Sequence, residues 1–203
     1  MALIQPPADL PLKNVKWRLP FAAQVNRSGW TNTTKTIGLP GAAFWTVSGS
    51  FRLLIGEDRA KPWRGFFVSL NGPVHRFPVV AIENARQTSA ANPTVGNGAG
   101  SGNTLPLQGL PAGQRVLVTG DLMTVFLPSG HRRLVCLTKD LVANGDGLAT
   151  AVFGPELGEV PAVGAAVEIR RPYAVVALTS EPPGWDVDPG QIYQFTVTAE
   201  ERK

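Results

Sequence analysis

The chain is short of the residues that most chemistry needs. Its 203 residues include one cysteine, Cys136, and two histidines, His75 and His131. A single thiol excludes an internal disulfide and any multi-cysteine metal site. Cys136 lies in the apolar run 134–137, so it reads as a small buried hydrophobe rather than a nucleophile. Neither histidine has a second histidine or a carboxylate at metal-ligand spacing. His131 stands in Ser129-Gly130-His131-Arg132, a hairpin tip, and reads as a solvated or structural turn histidine. Ser129 beside it completes no triad, because a third member is missing. Long apolar runs are missing too, and none approaches the ~20 residues that span a membrane. The opening MALIQPPADLPLK has neither a basic start nor a long apolar core and is not expected to be a signal peptide. No segment carries a clear 3.6-residue period, so little helix is expected. Together these absences predict a non-enzymatic protein with no catalytic, cofactor-binding or metal-binding residues and no need of a metal, nucleotide or other cofactor.

What the chain has is turn chemistry. Glycine (22) and proline (18) are abundant, and a hydrophobic content of 43% is enough to bury a core. Between residues 105 and 168, short apolar runs alternate with turn signals every eight to twelve residues or so, the pattern of a small antiparallel barrel or sandwich. Strands are predicted over 122–127, 134–138, 148–153 and 165–170. Pro128-Ser129-Gly130 and Asn144-Gly145-Asp146-Gly147 supply turns between them.

Upstream, residues 1–14 form a Pro-rich arm, expected to be extended and to be disordered or to lie on a neighbouring subunit. A short strand is predicted over 15–19. Residues 24–36 are polar and turn-rich, and Leu39-Pro40-Gly41 is a turn. Strands over 43–47 and 50–55 are expected to form a hairpin at Ser48-Gly49. Residues 56–62 read as a loop or a single helical turn. The aromatic run 63–70 reads as a strand closed by the hairpin signal Asn71-Gly72. The return strand covers 76–82, with Pro78 placing it at an edge. Downstream, 173–179 is a strand and 181–190 a loop holding Trp185. In 191–198, Tyr193, Phe195 and Val197 alternate with Ile192, Gln194, Thr196 and Thr198. Residues 200–203 read as a charged tail.

Two stretches imitate functional motifs. Residues 92–103, NPTVGNGAGSGN, are glycine-rich but lack the Gly-Lys-Ser/Thr of a phosphate loop, and read as a flexible linker between β modules. Asn144-Gly-Asp-Gly starts like a calcium loop, but its ligands stop at Asp146. Asp121 after Gly120 is a turn or capping aspartate. Trp17, Trp30, Trp45, Trp63 and Trp185 suit core or interface anchoring better than a carbohydrate platform.

Charge is unevenly spread. Residues 1–90 carry a balance of +7 and residues 91–203 one of −3. A basic half suits nucleic acid or the acidic half of a neighbouring copy. The basic residues are scattered singly, without a Lys/Arg run, which disfavours specific nucleic-acid binding.

Several of these segments, taken in order, resemble the small tail proteins of long-tailed bacteriophages. They are 63–72 with Phe77, 96–105, Gly120-Asp121, 143–150, Arg171-Pro172-Tyr173-Ala174-Val175, Leu178-Thr179-Ser180, Gly184-Trp185 and 193–201. The resemblance spans roughly residues 45–201 and implies a distal-tail, or tail-tip (baseplate), structural protein. Such proteins form a ring, usually a hexamer, between the tail tube and the tail-tip hub, and sit in the virion after assembly in the bacterial host cytoplasm. The fold implied is all-β: a ring-forming barrel or sandwich module (15–91 and 171–203) with a second small antiparallel β-barrel module inserted (92–170). The implied partners are further copies of the chain, tail-tube and hub proteins, and receptor-binding proteins, with no membrane segment. The alternative class is a carbohydrate- or receptor-binding β-sandwich. A small β-barrel enzyme ranks last, because acid/base and nucleophile pairs are missing.

Overall fold

The structure is a computed structural model and describes residues 1–21, 23–38, 43–98, 100 and 102–203. It is mostly antiparallel β-structure with one α-helix, so the all-β expectation holds. In chain order the first part runs β1 (Leu12–Arg18), β2 (Ala23–Arg27), β3 (Thr34–Gly38), β4 (Thr46–Phe51), β5 (Leu54–Ile55), α1 (Glu57–Ser69) and β6 (Phe77–Val80). Then come β7 (Thr94–Val95), β8 (Thr104–Gln108), β9 (Arg115–Leu117), β10 (Leu122–Phe126), β11 (Arg132–Leu137), β12 (Leu141–Val142), β13 (Leu148–Gly154) and β14 (Val167–Glu168). The chain ends with β15 (Tyr173–Leu178), β16 (Trp185–Asp188) and β17 (Ile192–Glu201).

The first sheet has the order β1-β4-β17-β15-β6, and its organising strand is the last one. β17 lies between β5 and β16 along its first half and between β4 and β15 along its second. Its period-two pattern predicts one apolar face, and Tyr193, Phe195, Val197 and Ala199 are all buried. Helix α1 covers that face. Phe51 meets Trp63 edge-on at 4.9 Å between ring centroids, and Phe67 packs on Phe195 at 5.5 Å. Fully burying one such ring contributes roughly 1.5–3 kcal/mol, so this aromatic layer is the main stabilising unit of the first sheet.

The second sheet has the order β14-β10-β11-β13-β8-β7. Its two ends meet: Val95 N–H donates to Ala165 O (2.9 Å), and Val167 N–H to Pro93 O (3.1 Å). The sheet therefore closes on itself around a second buried cluster that includes Leu105, Met123, Val125, Val135 and Phe153. Closure leaves fewer free strand edges, the usual reason for building a small barrel.

Several expectations are corrected. The run 63–70 is helical, not a strand. Ala60, Trp63, Phe67 and Leu70 are buried at helical spacing, but Pro62 and Gly65 interrupt the pattern and hide it. Asn71 (φ 50°) and Gly72 (φ 64°) take left-handed conformations that stop the helix instead of turning a hairpin. Ser48-Gly49 is not a turn, because β4 runs straight through it. A Cβ on Gly49 would lie 3.3 Å from Lys13 O, so the glycine serves close strand approach. Residues 185–188 form a strand, not a loop, and Glu201 belongs to β17, not to a tail. Thr94 and Val95, read as linker, supply the strand that closes the barrel, while Ala99 and Ser101 of that stretch lie outside the described residues. The turn expected at Leu39-Pro40-Gly41 also lies outside them. The polar stretch 24–36 folds into the β2–β3 hairpin.

The arm is corrected as well. Residues 12–14 belong to β1, and the earlier residues lie on the protein's own first sheet. Ile4 N–H donates to Arg76 O and Arg76 N–H to Ala2 O, so the arm occupies part of the edge beside β6. Ile4 and Leu10 pack against the first core. Apolar contacts every few residues are what keep a Pro-rich segment attached to its own chain.

Candidate functional site

The residues singled out in the sequence do not converge. His75 Nδ1 accepts from Ala2 N–H at 3.2 Å, anchoring the arm. Asp121 Oδ2 accepts from Val118 N–H (2.8 Å), the turn role expected of it. Asn144 Oδ1 accepts from the N–H groups of Asp146 and Leu148, so this loop is an Asx turn. Cys136 is only half-buried, and burial followed by the nearby charge of Asp121 pushes its thiol pKa up. The five tryptophans also separate: Trp63 is core, Trp17 and Trp45 meet edge-on at 6.2 Å, Trp185 stacks on Arg64, and Trp30 is fully exposed. Among the described residues no group of three or more His, Cys, Asp or Glu is placed to hold a metal ion. Among the described residues no helix is long and apolar enough to cross a membrane.

One polar cluster does form, and it sits at the junction of the two sheets. Arg133 and Glu201 are buried and paired, Nη1 to Oε2 at 2.9 Å. Glu201 also accepts the N–H groups of Leu134 (3.1 Å) and Trp45 (3.2 Å). The Arg133 guanidinium further donates to the Ala43 and Glu156 carbonyls and lies over the Phe44 ring at 4.9 Å. Desolvation lowers the Arg133 pKa, with the Glu201 charge opposing that shift. His131 is buried beside them, not solvated. Its Nε2 lies 3.3 Å from Glu201 Oε1, yet the angles are not those of a hydrogen bond, and among the described residues both ring nitrogens lack a hydrogen-bond partner. Thr124 adds a second tie, its hydroxyl exchanging hydrogen bonds with the backbone of Tyr173. A sealed cluster of this kind fixes the geometry between sheets and offers a substrate no access. Its signal is in the sequence: Glu201 continues the buried phase of Tyr193, Phe195, Val197 and Ala199, although its charge makes it read as part of a charged tail.

The surface feature that stands out is the β2–β3 hairpin. Every residue of both strands is exposed, and the pair forms a two-stranded sheet of its own. Its connecting turn is ordered by Ser28 and by Arg27 Nε donating to Asn32 Oδ1 (2.7 Å). Val25 (62% exposed), Trp30 and Ile37 give it apolar side chains, and Arg27 and Lys35 make it basic, with no acidic residue. β16 is the complementary element. Among the described residues it pairs only with β17, all four of its residues are exposed, and it carries Asp186 and Asp188.

A scan against protein-family models finds no match to this chain, and a search of curated proteins finds no matching relative.

Proposed function

We propose that this protein is a structural ring component of a phage tail tip, joining the tail tube to the tail-tip hub through a closed homo-oligomer, a hexamer in the proteins it resembles. The observation that carries this reading is the β2–β3 hairpin. A lone two-stranded hairpin is marginally stable in water, so one that projects with Trp30, Val25 and Ile37 uncovered is built to be completed by another chain. A basic hairpin and an acidic exposed strand on one chain fit a heterologous contact, repeated around a ring. Strand addition gives such a contact directional hydrogen bonds. Exposed charge pairs add only ~0.2–1 kcal/mol each, so they set orientation while apolar and backbone contacts supply the affinity. The ordered segments that resemble distal-tail proteins support the same reading. No acid/base or nucleophile set is involved.

The arm is not proposed as the link between copies, since it is engaged with its own sheet. The test is hydrodynamic mass. The full chain is expected to form a discrete closed oligomer, and replacing residues 24–37 by a short Gly-Ser turn is expected to leave a folded monomer. A full chain that remains monomeric, alone and with tail proteins, contradicts the proposal. The competing reading, a carbohydrate-binding module using exposed Trp30, is supported instead if the monomer binds glycans with quenching of tryptophan fluorescence.

A further inference from the structure

A groove runs beneath the N-terminal arm, where the arm crosses the first sheet. It has two lobes of about 360 and 460 Å³ that share Asp9, Leu10, Val80 and Arg171. The larger lobe is lined by Arg132, Arg171 and Tyr173, with Gln5 and Pro6 on the arm side. Arg132 is held in place without a counter-ion. Its Nη1 donates to Tyr173 Oη at 2.7 Å, and its guanidinium lies 4.9 Å from the Phe126 ring centroid and 5.7 Å from that of Tyr173. No carboxylate lies within salt-bridge distance of it among the described residues. Arg171 is paired, and its partner is informative. Its Nη2 lies 2.6 Å from Oδ2 of Asp9, the only acidic residue before Glu57. The arm thus places its one carboxylate in this groove. Glu168 also lines the lobe, but its Oε1 accepts the N–H groups of Arg170 and Arg171 and its Oε2 the amide of Asn92. These contacts fix the carboxylate in place, while its charge still reaches the Tyr173 hydroxyl.

We propose that this lobe is a binding site for a small ligand bearing a carboxylate on a polar body, such as a sugar acid or an acidic amino-acid derivative. Arg132, fixed by two rings and the Tyr173 hydroxyl, presents its remaining N–H donors with little side-chain entropy left to lose, as carboxylate recognition favours. Arg171 exchanges Asp9 for the ligand, so Asp9 acts as a built-in competitor and ligand binding loosens the arm. This inference stands apart from ring formation, since none of these residues belongs to the hairpin or to β16.

The test is calorimetric titration at constant ionic strength with sodium glucuronate, N-acetylglutamate and, as the neutral control, glucose. Saturable binding of either acid without binding of glucose is expected, and the preferred acid identifies the source of the carboxylate. Arg132→Gln and Arg171→Gln are each expected to weaken binding about tenfold, the usual scale for losing a charge-assisted contact. Asp9→Asn is expected to tighten it. If Arg132→Gln fails to fold by far-ultraviolet dichroism, Arg171→Gln, on the exposed pair, decides the question. No saturable binding of either acid, equal binding of glucose, or weaker binding by Asp9→Asn overturns the proposal.

Discussion

At the scale of single residues, the most consequential group is Glu201. Removing one member of a buried ion pair leaves the other charged and desolvated, at a cost of about 3–5 kcal/mol. Glu201→Gln is therefore expected to lose stability on that scale in urea denaturation, although it lies two residues from the last one. Replacing both partners, Arg133→Met with Glu201→Leu, is expected to recover much of the loss; a double variant as unstable as the single one would show that the pair is not the cause. Gly147 is the second such position. Its φ is +73°, and a Cβ there would lie 2.5 Å from the carbonyl oxygen of Leu110. Gly147→Ala is expected to lower stability by about 1–3 kcal/mol, read as a drop in melting temperature. An unchanged melting temperature would mean the turn relaxes without strain. Cys136 gives a pH-dependent expectation. Burial raises the thiol pKa in the folded chain, so the unfolded chain loses this proton first as pH rises. Its contribution to stability is complete below the ordinary thiol range and falls as pH climbs through the raised value. At pH just above neutral, alkylation is expected to be slower in the folded protein than in urea and faster in Asp121→Asn than in the native chain. Equal rates in folded and unfolded protein would contradict this.

At the scale of elements, what was legible depended on whether one physical signal acted alone. β17 was readable because its alternation is clean and its burial follows it residue by residue. β10, β11 and β13 were readable because Gly, Pro and Asn mark their ends. Helix α1 was not, because aromatics favour strands, Pro62 and Gly65 weaken the helical reading, and Asn71-Gly72 serves a helix stop as well as a hairpin. The Ala60, Trp63, Phe67, Leu70 spacing was the signal that could have found it. The arm and β7 are held by contacts with residues far along the chain, Arg76 and Arg171 for the arm and Leu107 and Ala165 for β7, which local sequence does not encode. The buried junction is illegible for a different reason: a charged residue ordinarily faces solvent, and the burial of Glu201 is made tolerable by Arg133 and two backbone N–H groups far away in sequence. Phe51→Ala provides a check on the helix–sheet layer. It removes the ring that touches Trp63, Phe67 and Phe195 together, and a loss of about 3–5 kcal/mol is expected in denaturant unfolding. A loss under about 1 kcal/mol would place the core elsewhere.

At the scale of the whole molecule, the chain builds two cores and ties them with a buried charge cluster and with Thr124 on Tyr173. The first sheet takes its strands from both ends of the chain, while the closed sheet comes from residues 94–168. The charge split of +7 against −3 is carried on a folded surface that also holds an unsupported basic hairpin and an exposed acidic strand. Contacts between such surfaces weaken as salt screens the charges, over a length of about 8–10 Å at ordinary ionic strength. Asp186→Lys with Asp188→Lys is accordingly expected to weaken assembly, and Arg27→Glu with Lys35→Glu in the same chain to restore part of it. The most direct measurement of the ring proposal is sedimentation velocity of the full chain and of the hairpin-replaced chain across a wide range of concentrations. A single closed species several times the 21.6 kDa chain mass is expected for the former and a folded monomer for the latter. A hairpin-replaced chain that assembles as the native one does would contradict it.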